Sequence, residues 1–184
     1  MNVLRLLPNT GGGITYRLSD TYIFDISIGR RVLSEEVNPN YSIPVYSANV
    51  FEPFGMIDHL LIEDFSKPSI LWGIDGDWMV NLLPAQKPFY PTDHCGVLRT
   101  KNDVIHPRYL AWLLQKAGEA AGFKRSYRAS IDRVKSLTIQ AAPMENHMAA
   151  MEEVFRYEEL ISKVKLKMET CTERKKEILK KYLN

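Results

Sequence analysis

The chain has 184 residues, 45% hydrophobic and 25% charged, with a net charge of +2, which suits one globular domain or one domain plus an appended element. No stretch approaches the roughly 20 apolar residues of a membrane span. The start, MNVLRLLPNTGGG, lacks an h-region and a small-residue cleavage site, and Cys95 and Cys171 stand in unlike contexts, so export and a disulfide framework give way to a reducing cytoplasm.

The charge is local. Residues 1–96 hold 6 Lys/Arg against 11 Asp/Glu, whereas residues 97–135 hold 9 against 3. Residues 143–162 carry one Arg and five acids, and residues 163–184 carry eight bases and three acids. A polyanionic partner would feel the basic segments.

In chain order, TYIFDISIG (21–29) alternates close to period two and is predicted as a strand. SIPVYSANV, HLLIEDF, PSILWGIDGDWMVNLLP and CGVLRT are further strand candidates, separated by turn residues. IHPRYLAWLLQKAGEAAGF carries Tyr109, Leu110, Trp112, Leu113 and Leu114, then a glycine, and reads as one helix entered at Pro107. SIDRVKSLTIQAAP is expected to give a turn of helix and then a strand.

From Met144 to Tyr182 there is neither Pro nor Gly. Val154, Ile161, Met168 and Tyr182 recur at one heptad position, with Lys175 as a charged intruder; Ala150, Tyr157, Val164, Cys171 and Ile178 recur at the other. This spacing predicts a coiled-coil helix of about 57 Å. Its acids precede its bases, as the helix dipole favours. The fold class expected is α+β: a strand-rich domain with a few helices over 1–142, then one long helix over 143–184.

No catalytic or metal centre emerges from the residues. His59, His94, His106 and His147 and the two cysteines show no metal-ligand spacing. His94 and Cys95 are neighbours, which on a strand point to opposite faces. Asp75 and Asp77 in GIDGD read as a tight turn between two strands. NPNY (38–41) departs from the Asn-Pro-Pro-Tyr loop of adenine N6-methyltransferases, and TGGGIT (10–15) lacks the Lys-Ser/Thr of a phosphate loop. GFKRSYRAS (122–130) is the stronger signal. It packs Lys124, Arg125 and Arg128 around Tyr127, with Arg133 and Lys135 beyond, residue types that hold phosphates, read guanine edges or stack.

The order of IPVYSANVFEPFG (43–55), ILWGIDGDWMVNLL (70–83), KPFYPTDHCGVLR (87–99), HPRYLAWLLQ (106–115) and GFKRSYRASIDRVKSLTIQAAPMENHMAAMEEVF (122–155) resembles the specificity (S) subunits of type I restriction–modification systems. The resemblance covers residues 22–170 and takes in one target recognition domain and one spacer helix, where the family usually has two of each. Where the family often carries Gln after the Pro, this chain has Asn146-His147.

The resemblance implies a non-catalytic module without cofactor that reads double-stranded DNA. Methyltransferase subunits, and a restriction subunit where one exists, would be its partners. Two copies would pair their helices through Val154, Tyr157, Ile161, Val164, Met168, Cys171 and Ile178, with Lys175 meeting Glu158 or Glu159. The DNA-contacting candidates are Lys124, Arg125, Tyr127 and Arg128, then Arg30, Arg31 and Lys87. Two other readings remain: the recognition part of a fused restriction–methylation enzyme, which an initiating Met1 speaks against, and a coiled-coil interaction protein that does not bind DNA.

Overall fold

The computed structural model describes residues 13–183, the side chains at 145, 148, 150, 155, 158, 162 and 183 apart. Residues 10–12 of the glycine run and the side chains of Ala150 and Glu158 therefore lie outside the described residues. The chain divides into two compact units between His147 and Met148.

The first unit is α+β. Its centre is a four-stranded antiparallel sheet in the order β2 (Phe24–Ile28), β8 (Cys95–Thr100), β5 (Ser69–Gly73), β6 (Val80–Leu83). A three-stranded sheet follows the order β4 (Gly55–Ile57), β3 (Ile43–Tyr46), β7 (Tyr90–Pro91), with β3 and β7 parallel. A ribbon of β1 (Ile14–Arg17) against β9 (Thr138–Ala141) completes the strands.

Strand β5 is buried on both faces along its whole length. On one face, Leu71 joins Val50, Phe65, Phe89, Cys95 and Val97 in an apolar cluster. On the other, the Trp72 indole is fully buried and its Nε1–H donates to Ala129 O at 2.9 Å. Gly96 lies opposite Trp72 in the ladder, and the indole fills the space a side chain there would take.

Helix α1 (Pro107–Ala121) starts with Pro at its first position, which forfeits no helical hydrogen bond, and stops at Gly122 in the left-handed region (φ 75°). Its inner residues Tyr109, Leu110, Leu113 and Leu114 are buried, and Gly118 makes room for Trp78, whose Nε1–H donates to Gln115 O at 2.9 Å. The short α2 (Ile131–Lys135) and β9 follow in the expected order.

One expected strand is absent. HLLIEDF (59–65) is irregular: Leu61 packs with the cluster of Val45, Ile57 and Tyr90, and Ile62 with that of Leu71 and Phe89. Residues 38–41 form a turn, with Tyr41 N–H donating to Asn38 O at 3.1 Å.

The long helix, α3, spans Met144–Leu183, 40 residues, or about 60 Å at 1.5 Å per residue. Val154 and Tyr157 are half-buried, whereas Ile161, Val164, Met168, Ile178 and Tyr182 are between 47% and 75% exposed. Cys171 is exposed as well. Within the helix, Glu159 pairs with Lys163 at 2.7 Å. Among the described residues no helix is long and apolar enough to cross a membrane.

The Trp72–Gly96 contact sets a test of the core. Gly96→Ala should cost about 1–3 kcal/mol through overpacking, read as a lower urea midpoint with an unchanged slope. Full stability in this variant would show that the contact is loose.

Candidate functional site

The ladder registers gather several loops at one end of the central sheet. Ile28 pairs with Gly96, and Gly73 pairs with Cys95. The segments that leave these residues, 29–32, 74–77 and 92–94, therefore emerge together. Gly29 makes this possible for β2: it lies so close to the carbonyl of Pro91 that a side chain would collide. Its N–H donates to Cys95 O at 3.3 Å, and Arg30 N–H donates to Pro91 O at 3.2 Å. Arg31 thereby lines an open concavity with Ser47, Phe54, Thr92, Asp93 and His94.

Residues 123–128 reach the same end. Lys124 and Tyr127 exchange backbone hydrogen bonds of 3.1 and 2.8 Å, which leaves Arg125 and Ser126 at the tip of a tight turn. Phe123 is buried against Trp78 (ring centroids 5.1 Å apart) and anchors the turn. The Tyr127 ring stacks on Phe123 at 5.7 Å and carries the Arg133 guanidinium at 4.1 Å. Tyr127 was expected to stack on a base or bond a phosphate. Its ring contacts Phe123 and the Arg133 guanidinium, and Tyr127 remains 41% exposed.

Ile74 ties the loops together. Its N–H donates to His94 O at 3.0 Å, and its carbonyl accepts from Ala129 N–H at 3.1 Å. The side chains next to these three residues meet. Asp75 forms an ion pair with Arg128 Nε, accepts from Arg128 Nη2 at 2.9 Å, and pairs with His94 Nδ1. Arg133 Nη1 donates to Arg128 O at 2.8 Å and fixes the base of the Arg128 side chain.

Six of the seven predicted DNA-contacting residues (Arg30, Arg31, Lys124, Arg125, Tyr127 and Arg128) thus belong to loops at one end of the sheet. Lys87 does not. Ser69 pairs with Leu83, so the loop after β6 leaves from the opposite end, one strand length of about 17 Å away. There, Gln86 N–H donates to Phe65 O at 2.8 Å. Arg99 serves structure at that end too: it bonds Ser69 Oγ at 2.8 Å and Asp64 O at 2.6 Å, and burial lowers its pKa.

Two members of the cluster were not predicted. Asp75 reads as a turn residue, and it is one: it sits in the β5–β6 turn beside Gly76 (φ 90°). His94 reads as incidental beside Cys95. Nothing in the spacing reveals that Asp75 and Arg128, 53 positions apart, share an ion pair. Cys95 faces the core as alternation requires, and burial pushes its thiol up to about 12.

Residues 15–169 match the family model described as the type I restriction modification DNA specificity domain. A Mycoplasma pneumoniae protein described as the N-terminus of a type I specificity subunit is 30% identical over 102 residues, covering 55% of this chain and 53% of that protein. A type I restriction–modification S subunit from M. genitalium superposes with a TM-score of 0.59 at 19% identity, over 85% of this chain and 42% of that one. The HsdS subunit from Thermoanaerobacter tengcongensis gives 0.61 at 13% identity, over 86% and 41%. The chain spans about half the length of these relatives, and at such identities the structural likeness is one of fold.

Burial separates the two thiols. At pH 8, iodoacetamide should leave Cys95 unmodified in the folded chain and reach it only after unfolding, as mass spectrometry of the peptides would show. Because the folded Cys95 has the raised pKa, its contribution to stability is intact below the ordinary thiol pKa and is lost as pH climbs from there toward 12.

Proposed function

The chain belongs to the type I restriction–modification DNA specificity family, and on that premise we propose that it is a non-catalytic DNA-reading module. It directs methyltransferase subunits, and a restriction subunit where the system has one, to a bipartite target. The observation that carries this reading is the family match itself, which runs through the strand-rich unit and on into α3. The basic side chains at one end of the central sheet supply the electrostatics. Lys124 and Arg125 stand exposed at the turn, Arg30 and Arg31 beside the concavity, and such cations release counterions from a phosphate backbone.

Within this reading, residues 1–142 recognise DNA and residues 143–184 space and dimerise. The exposed apolar positions of α3 are the seam. An antiparallel pair would lay the acidic half (143–162) of one copy along the basic half (163–184) of the other. A two-fold pair presents identical readers, so the target is an interrupted palindrome.

Deleting the gene and mapping adenine methylation across the source genome tests this directly. Loss of one interrupted palindromic motif is the expected result. Loss of an asymmetric bipartite motif would overturn the homodimer, and an unchanged methylome would overturn the specificity role.

Two substitutions probe the parts. Val164→Asp should convert the dimer to monomer in sedimentation velocity at low micromolar concentration. Arg125→Ala should weaken binding of the assembled complex to all DNA sequences alike and lower the salt slope by about one unit.

A further inference from the structure

We propose that Asp75 is a positioning residue that locks the Arg128 guanidinium so that Arg128 reads a guanine in the major groove. The inference rests on the DNA-binding reading above and names what one of its side chains recognises. A guanidinium has five N–H donors in a planar fork. Asp75 takes the edge formed by Nε and Nη2. Among the described residues, both Nη1 hydrogens and the second Nη2 hydrogen remain for a ligand. That outer edge offers two parallel N–H groups, the pattern that matches guanine O6 and N7.

The surroundings fit a reader of bases better than a phosphate clamp. A phosphate contact needs net positive charge and tolerates a mobile side chain. Here a carboxylate offsets much of the charge of Arg128 and would itself repel a phosphate. What the pairing adds is a fixed plane, and a planar base edge requires one. The plane is held from several sides: His94 Nδ1 pairs with the same carboxylate, and Arg133 Nη1 donates to the Arg128 carbonyl at 2.8 Å. Backbone bonds through Ile74 hold His94 itself and the neighbours of Asp75 and Arg128. Despite these contacts the Arg128 side chain is 56% exposed. A buttress this elaborate adds little to folding, since exposed ion pairs contribute almost nothing to stability.

The test uses the full chain with its methyltransferase subunits and a library of random duplex DNA, sequencing what is retained. The wild type should enrich a half-site containing an essential G·C pair. Arg128→Ala should abolish the preference at that single position, with a roughly ten- to hundred-fold loss of discrimination, while the other positions persist. Arg128→Lys keeps the charge but lacks the fork, and should relax the same position. Asp75→Asn should relax that position too, with total DNA retention kept.

If Arg128→Ala instead weakened binding evenly at every position, Arg128 would be a phosphate contact and the inference would fall. Unchanged preference in Asp75→Asn would remove Asp75 from its role. A wild type that enriched no sequence would overturn the DNA-reading function on which the inference stands.

Discussion

Strand β5 meets water on neither face, and the rest of the first unit is arranged to satisfy that constraint. A strand buried on both sides needs cover above and below, and five short residues cannot supply it alone. Leu71 is covered by Phe65, Phe89 and Val50, which come from irregular segments between strands. Trp72 is covered by the segment around Ala129, whose carbonyl accepts the indole N–H. The same burial anchors Ile74 and thus holds Asp75, His94 and Arg128 within reach of one another. The site is therefore a by-product of core packing carried one residue past the end of a strand.

The segments legible in the sequence were those whose signal is local. Pro107 and Gly122 mark the two ends of α1 because each acts through its own backbone angle. The Asp-Gly turn, the alternation of β2 and the unbroken heptads of α3 are likewise short-range. HLLIEDF misled for the opposite reason. Its apolar residues answer to two cores that only the tertiary fold defines, so their spacing carries no sheet period. β7, a two-residue strand containing Pro91, exists because β3 happens to lie beside it, and no propensity announces it.

The site shows the same division. Lys124, Arg125 and Arg128 are conspicuous as a basic run, and they do share one surface region. Lys87 looks similar by composition but leaves the sheet from the other end, which only the antiparallel pairing of β5 with β6 reveals. Asp75 carries a turn role strong enough to conceal its second role. A side chain with one sufficient local explanation gives no hint that a distant partner also uses it.

The cluster is built on loops, and none of its polar side chains belongs to the apolar core. Arg30, Arg31, His94, Arg125 and Arg128 are exposed and Asp75 is half-buried, while Gly29, Ile74, Cys95 and Ala129 beside them are buried. Mutation can exchange the first set without disturbing the second. That loop surface can therefore drift in sequence while the frame is inherited unchanged. Changes to this surface come by single substitutions rather than by refolding.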